Sequence, residues 1–420
     1  MPLLTDISTL AVCPAAGSDA GLVPDAALAW EGDTVAWAGA ASDVPARFAN
    51  WPRESAGGRM VIPGLVDCHT HLAFGGDRAG EFVERIGGTS YLDIAARGGG
   101  ILETVRATRA ATEEDLTGRV RAVLRRMLRH GVTTVEAKSG YGLSLDDELK
   151  TLRVYRRLGE EGPQRVVPTL LAAHAVPPEH RADRAAYIRV IVEDIIPAVA
   201  DAGLAHFNDA FVEAGAFTPE EARAIFAAGA ARGLVPRLHA DQLSDGGGAA
   251  LAAEVGASSA DHLEHCSDAG IEAMARAGVV AVSLPIATLV LDQPPLPARR
   301  LLDAGVPVAV ATDYNPGSAP AASLPLALWL ACTRQRMTPA EALRGATAAA
   351  ARALRMHDRV GSLEPGMAAD FVVVDAPDPD RWLYDFREDA ALRVVIAGRT
   401  AWSGARALAG AGWEAGERGI

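Results

Sequence analysis

The stretch FNDAFVEAGAFTPEEARAIFAAGAARGLVPRLHA, residues 207–240, contains the unit whose repetition decides the fold. Its two ends, 207–214 and 234–240, are apolar runs of the length that buried strands have. Between them lies a helix-length segment that begins at Thr218, continues with acidic residues and closes at Gly233, which are the usual signals of helix ends. The stretch therefore predicts a strand, a helix and a second strand.

The same alternation recurs along the middle of the chain. A second helix-length segment, 113–131, also follows a threonine, starts with acidic residues and ends at a glycine. The strand-like runs are 61–67, 132–137, 166–173, 207–214, 234–240, 258–264, 279–284 and 306–313. Eight strands that alternate with helices predict an α/β fold, a (β/α)8 barrel of the TIM type.

The two ends of the chain differ from this middle part. Residues 1–60 and 361–403 contain short strand-like runs separated by turns, and we expect them to pair into one small β-sandwich domain, because chain ends tend to lie close together. The barrel is then expected to span 61–360. Residues 404–420 are rich in glycine and alanine and are expected to form a C-terminal tail.

Composition and charge exclude several classes of protein. The net charge of −13 is spread over interspersed acidic and basic residues, so no positive cluster is available for nucleic acid. The four cysteines form no CxxC pair, and no uncharged apolar stretch reaches the ~18 residues of a membrane span. We therefore expect a soluble, cytoplasmic protein that binds neither nucleic acid nor membrane.

Candidate functional residues stand at the ends of the predicted strands, where (β/α)8 barrels carry their chemistry. Five of the ten histidines fall there. These histidines are His69, His71, His174, His239 and His262, and the other polar residues at strand ends are Tyr141, Glu213 and Asp313.

His69 and His71 are two residues apart, so in extended chain both face the same side and can bind one ion. Such a pair alone also fits two half-exposed histidines that bind no metal. Together with His239 and Asp313, however, it makes three imidazoles and a carboxylate, a donor set that suits zinc or ferrous iron.

Two strand-end residues allow different interpretations. His262 fits a buried histidine satisfied by the backbone as well as a catalytic one, and Glu213 fits a structural ion-pair partner. The positions of the two lysines, Lys138 and Lys150, bear on the number of metal ions. Neither stands near the fourth strand, where some barrel hydrolases bridge two metals with a carboxylated lysine, so we expect a single ion.

Several motifs occur in an order typical of one superfamily: HTH at 69–71, LHADQ at 238–242, ADHLEH at 260–265, ATDYNPGS at 311–318 and LEPGMAADFVVVD at 363–375. With them the chain resembles the amidohydrolase superfamily of metal-dependent barrel hydrolases. Longer motifs, including VEAKSGYGL at 135–143 and the run 87–111, are similar to those of its imidazolonepropionase family. The resemblance extends from about residue 60 to about residue 400.

This resemblance implies an activity in histidine degradation: a metal-activated water hydrolyses 4-imidazolone-5-propanoate at its ring amide to give N-formimidoyl-L-glutamate. It implies one divalent ion per chain, zinc or iron, and a homodimer. The implied metal ligands are His69, His71, His239 and Asp313; the implied catalytic residues are Asp313, His262 and His174. The implied substrate-binding residues are Arg78, Tyr141, His174, Gln242, Asn315, Gly317 and Ser318.

One position departs from related barrel deaminases, which carry a proton-shuttling glutamate three residues after the histidine of the fifth strand. Here that residue is Gln242, which can form hydrogen bonds but cannot carry a proton. The substitution weakens the main alternative, an aminohydrolase acting on a guanine-like or cytosine-like ring. A second alternative is an inactive barrel that serves as a binding or scaffold protein.

Overall fold

The computed structural model describes residues 1–89, 93–94 and 97–404. Within them the strands form two sheets. Before the barrel come β1 (Leu3–Ala11), β2 (Leu22–Glu31), β3 (Thr34–Ala40) and β4 (Arg53–Pro63). The barrel contains β5 (Leu65–Asp67), β6 (Val132–Lys138), β7 (Arg165–Ala173), β8 (Phe207–Val212), β9 (Val235–Ala240), β10 (Ser259–His262), β11 (Val280–Ser283) and β12 (Val308–Val310). After it come β13 (Phe371–Val374), β14 (Ala391–Ile396) and β15 (Arg399–Ser403).

Helices lie between the barrel strands and after them. They are α1 (Ala79–Ile86), α2 (Ile101–Ala110), α3 (Glu113–Arg129), α4 (Leu145–Glu161), α5 (Arg184–Arg189), α6 (Ile196–Asp201), α7 (Pro219–Ala230), α8 (Gly248–Glu254), α9 (Asp268–Ala277), α10 (Pro285–Val290), α11 (Ala298–Asp303), α12 (Leu324–Gln335), α13 (Pro339–Gly345), α14 (Ala348–Ala353) and α15 (Pro379–Asp385). A π-helical segment, Val190–Ile195, joins α5 to α6.

The barrel sheet runs in sequence order from β5 to β12, and its neighbouring strands are parallel, which confirms the predicted (β/α)8 architecture. The last strand meets the first one beyond their regular ends. There the Asp313 N–H donates to the His69 carbonyl at 3.0 Å, and the His71 N–H donates to the Tyr314 carbonyl at 2.9 Å. The seam that closes the barrel therefore brings three of the predicted metal ligands side by side.

Both helices predicted from threonine caps are present. Thr112 precedes α3 and Thr218 precedes α7, and each side chain accepts a hydrogen bond from the backbone N–H three residues later. Asp115 and Glu221 complete the caps by accepting the threonine N–H groups, at 3.2 and 2.9 Å. Four end N–H groups are thereby satisfied, so the two helix starts are fixed by local sequence.

The predicted first strand, 61–67, is divided between the two sheets. Its first residues belong to β4, which pairs with β13 outside the barrel, and only Leu65–Asp67 enter the barrel. Gly64 makes the transition: its N–H donates to the Asp370 carbonyl at 2.8 Å, and a β-carbon there would lie 2.3 Å from the Thr133 hydroxyl. The chain passes so close to β6 that only glycine fits.

Both chain ends contribute to the second sheet, whose strand order is β15-β14-β13-β4-β1-β2-β3. Although two strands separate β2 from β13, the rings of Trp30 and Phe371 meet with centroids 4.9 Å apart. The Trp30 indole N–H also donates to the Gly398 carbonyl at 3.1 Å. The sheet therefore curls over its own apolar core, and the predicted pairing of both chain ends is present as one seven-stranded sheet.

The predicted tail, 404–420, lies outside the described residues apart from Gly404. Among the helices described, none combines the length and the apolar composition that crossing a membrane requires.

Candidate metal centre and active site

The four predicted ligands converge at the mouth of the barrel. Asp313 Oδ1 lies 3.4 Å from His69 Nε2 and 3.3 Å from His71 Nε2. His239 reaches the same point, with its Nε2 3.4 Å from Nε2 of His71. All four side chains are buried, so four donor atoms from β9 and the closing seam face one small volume.

The chemistry of these donors fits a divalent cation. His69 Nε2 is buried and has no hydrogen-bond partner among the described residues, although it points at this volume. Burial lowers the pKa of His239 to about 3, so its ring is neutral near pH 7. Neutral imidazole nitrogens and a carboxylate are the ligands that zinc and ferrous iron take.

Two buried aspartates hold the outer nitrogens of the ligand rings. His69 Nδ1 lies 2.6 Å from Asp261 Oδ2, and His239 Nδ1 lies 3.1 Å from Asp209 Oδ1. Such contacts fix the tautomer in which Nδ1 carries the proton and Nε2 keeps its lone pair for the metal. For His69, burial and Lys138 act to lower the pKa, but Asp261 and Asp313 outweigh them and raise it.

The structure places His262 inside the mouth. Its Nδ1 has no hydrogen-bond partner among the described residues, and its ring centroid lies 5.5 Å from that of His239. The backbone is left-handed at His262 and Leu263, with φ of 81° and 66°, a strained conformation typical of functional sites. Burial lowers the pKa of His262 to about 4. These observations do not fit a core histidine satisfied by the backbone.

His174 and Tyr141 line one side of the mouth. The His174 ring stacks on His71 with centroids 5.1 Å apart, and the Tyr141 ring lies 5.3 Å from His174. Burial, with His71 and His239 adjacent, holds the pKa of His174 well below its ordinary value. His174 Nδ1 lies 3.0 Å from the Gly140 carbonyl, which fixes the ring orientation.

Arg78 and the turn at 315–318 form another side. The Asn315 side chain accepts the N–H groups of Gly317 and Ser318, both at 2.8 Å, and donates to the Asp313 carbonyl at 2.7 Å. The Arg78 guanidinium lies directly over Gly317, where a β-carbon would be 2.2 Å from Nη1. The turn thus connects Asp313, a candidate metal ligand, to an arginine.

Comparison with known proteins identifies the family. The model of the amidohydrolase family matches residues 60–401. Imidazolonepropionase from Anaeromyxobacter sp. (strain K) is 51% identical over 397 residues, covering 93% of this chain and 94% of that protein. Imidazolonepropionase from Geobacillus kaustophilus is 47% identical over 386 residues and covers 91% of each. This chain belongs to the imidazolonepropionase branch of the amidohydrolase family.

Solved structures agree on the fold of this family member. A 5-methylcytosine deaminase from Klebsiella pneumoniae, liganded with 5-fluorocytosine, aligns with a TM-score of 0.73 over 96% of this chain and 97% of its own, at 15% identity. An adenosine deaminase from Xanthomonas campestris with bound zinc aligns with a TM-score of 0.70 over 95% and 92%, at 20% identity. At these identities the likeness concerns the fold alone.

Gln242 is 9% exposed and stands in the loop after β9. Glu213 organises that loop: it accepts the Leu243 N–H at 2.8 Å, the Ala214 N–H at 2.9 Å and the Ser244 hydroxyl. Glu213 therefore bonds neutral donors, two of them in this loop, in place of the ion pair that the sequence suggested.

The sequence analysis missed Asp209 and Asp261. A signal for them exists, because both are charged residues within runs that are predicted to be buried barrel strands. Charged groups are buried only when paired or hydrogen-bonded, so each aspartate requires a partner inside the barrel. The sequence does not say which histidine that partner is.

The loop that carries Tyr141 depends on Glu148, a buried residue of α4. Its carboxylate accepts the N–H groups of Gly140, Gly142 and Leu143 at 2.8–3.2 Å. We expect Glu148→Gln to lower the free energy of unfolding by ~1–3 kcal/mol, because an amide NH2 then faces backbone donors. Chemical denaturation measures this change. Glu160→Gln, at an exposed position of the same helix, is the control, and equal stabilities for the two variants would contradict the role.

Proposed function

We propose that the chain hydrolyses 4-imidazolone-5-propanoate to N-formimidoyl-L-glutamate in histidine degradation. The observation that carries the proposal is that His69, His71, His239 and Asp313 converge at one barrel mouth, with Arg78 over the adjoining turn at Gly317, in a chain 51% identical to an imidazolonepropionase. The reaction adds water to the ring carbonyl, breaks the bond from that carbon to the ring nitrogen and leaves a carboxylate.

In this proposal His69, His71, His239 and Asp313 hold one divalent ion, zinc or iron. The ion supplies a Lewis acid that brings the pKa of water towards neutrality. The contacts of Lys138 favour one bound ion over two. Its Nζ donates to Glu136 at 2.9 Å and to Asp209 at 2.8 Å, as an ammonium does. A carboxylated, negatively charged lysine would be repelled by these two carboxylates.

The protein supplies the acid–base groups and the oxyanion contact. Asp313 accepts the proton of the attacking water and returns it to the departing ring nitrogen. His262 faces the same volume from β10 and stabilises the charge that develops on the carbonyl oxygen. Gln242 is confined to hydrogen bonding, so the proton transfers fall to Asp313 with His262 or His174.

Arg78 binds the propionate tail of the substrate. The planar guanidinium matches a carboxylate with two parallel hydrogen bonds. Its Nε donates to Glu81 at 2.6 Å, which leaves the terminal nitrogens on the side of Gly317. Tyr141, Asn315 and Ser318 are the further polar contacts in this proposal.

The decisive test incubates the zinc-loaded or iron-loaded chain with freshly prepared 4-imidazolone-5-propanoate and follows the decay of its ultraviolet absorbance. Parallel samples contain guanine or cytosine, and released ammonia is measured. We expect decay of the imidazolone and no ammonia. Ammonia from either base would support an aminohydrolase, and less than one ion per chain in metal-replete protein would support an inactive barrel.

The expected cytoplasmic location and homodimeric state belong to the same proposal. Sedimentation velocity measures the assembly: a species of about twice the chain mass is expected, and a monomer at micromolar concentration would contradict the dimer.

A substitution at Gly317 tests the proposed position of Arg78. Because a β-carbon at Gly317 would overlap the Arg78 guanidinium, Gly317→Ala is expected to push that group aside and to raise KM about tenfold, the equivalent of ~1.4 kcal/mol. Steady-state kinetics measures the change. Gly118→Ala is the matched control, since that helical position has open space around it. An unchanged KM in Gly317→Ala would contradict the proposed position of Arg78.

A further inference from the structure

Lys138 is the last residue of β6, and its side chain is fully buried. Three carboxylates surround its ammonium group. Nζ lies 2.9 Å from Glu136 Oε1, 2.8 Å from Asp209 Oδ2 and 3.7 Å from Asp261 Oδ2. A lysine is buried this completely only when its charge is paired, and here one ammonium joins groups from three barrel strands.

Two of these carboxylates are the partners of metal-ligand rings. Asp209 contacts Nδ1 of His239, and Asp261 contacts Nδ1 of His69. Lys138 is therefore linked to His239 and to His69 through one carboxylate each.

The third carboxylate reaches the segment that carries His69 and His71. Glu136 Oε2 accepts the N–H of Thr70 at 3.2 Å, and the Thr70 hydroxyl donates to the Glu136 carbonyl at 2.6 Å. Lys138 adds a backbone contact, its N–H donating to the Thr70 carbonyl at 2.9 Å. The residue between the two ligands is thus fixed on both sides.

A second buried cation also pairs with one of the three carboxylates. Arg237 donates to Asp261 at 3.1 Å and to the Cys68 carbonyl at 2.8 Å. Asp261 is thereby held by two cations. Among the described residues, the lysine or arginine that pairs with Asp209 is Lys138, so Asp209 depends on it most.

We propose that Lys138 is a positioning residue for the metal centre: its ammonium holds Asp209, Asp261 and Glu136 in the orientation that points His239, His69 and His71 at one ion. Without it, three buried carboxylates would repel one another across a volume of low dielectric constant and turn away from the imidazoles. This inference rests on the metal site of the proposed function.

The scarcity of lysine gives a test on the unmodified chain. Protein labelled with nitrogen-15 at lysine Nζ carries two side-chain signals, from Lys138 and Lys150. The Lys150 ammonium donates hydrogen bonds to the carbonyls of Thr108, Arg109 and Ala111, which are not part of the proposed metal site. Adding zinc to metal-free protein is expected to shift the Lys138 signal and to leave the Lys150 signal in place. An unmoved Lys138 signal at full zinc occupancy would overturn the inference.

Substitutions measure the size of the effect. Lys138→Met is expected to weaken zinc binding about 10- to 100-fold, as removal of an outer contact to a metal ligand does. Competition with a chromophoric chelator measures the affinity, and circular dichroism checks the fold. Lys150→Met, which also removes an ammonium, is expected to bind zinc as the native chain does. Native affinity in Lys138→Met would overturn the inference.

A double variant separates positioning from general loss of charge. Asp209→Asn is expected to weaken zinc binding, and adding Lys138→Met to it should cost less than the two single effects together, because both act on His239. Additive losses would overturn the path through Asp209. A native chain that binds neither zinc nor ferrous iron would contradict the proposed function itself, whereas normal zinc binding in the native chain and in Lys138→Met contradicts this inference alone.

Discussion

Asp313→Asn is expected to lower kcat about 10²- to 10⁴-fold, the range that loss of a general base produces. Asparagine keeps the shape and one oxygen of the side chain, but it cannot accept the proton of the attacking water. In the structure Asp313 Oδ1 lies within 3.4 Å of Nε2 of His69 and of His71, so in the proposed reaction its carboxylate would face both the ion and the attacking water.

Steady-state kinetics on zinc-replete protein measures this effect, with the zinc content of each sample determined alongside. Asp303→Asn, at an exposed position at the end of α11, is the control and should keep native activity. A kcat for Asp313→Asn within about twofold of the native value, at equal zinc content, would remove Asp313 from proton transfer.

Arg78→Ala is expected to raise KM for 4-imidazolone-5-propanoate about 10- to 100-fold, because hydrogen bonds to a charged group contribute ~1.5–3 kcal/mol. The change in kcat should be smaller, since the tail is remote from the reacting carbonyl. Arg78→Lys should recover part of the loss, because lysine keeps the charge and lacks the planar pair of donors.

Arg125→Ala removes an arginine from the exposed surface of α3 and is the control for the loss of one positive charge. An unchanged KM in Arg78→Ala would exclude Arg78 from binding the tail. Equal increases in Arg78→Ala and Arg125→Ala would point instead to long-range attraction of an anionic substrate.

Much of the architecture could be predicted from the sequence, because it follows from local patterns. The caps at Thr112 and Thr218 involve contacts within four residues, and the strand runs are read from apolar composition alone. His69 and His71 were identifiable for a similar reason, since alternation along an extended chain fixes their common face.

The rest depends on contacts between distant segments. The division of the run 61–67 between two sheets arises where Gly64 approaches Thr133, a contact that no local pattern encodes. The pairings of Asp261 with His69, 192 residues apart, and of Asp209 with His239 depend on the register between strands. Charged residues in an apolar strand indicate that partners exist, but only the closed barrel shows which ones they are.

The central claim is that four side chains bind one ion that is required for hydrolysis of 4-imidazolone-5-propanoate. Its most direct test adds zinc or, in a parallel sample, ferrous iron stepwise to metal-free protein and measures the rate of substrate decay after each addition. With at least one of these metals the rate is expected to rise linearly from the blank and to stop rising at one ion per chain. A rate independent of both metals, or one that rises until two ions per chain are bound, would contradict the account.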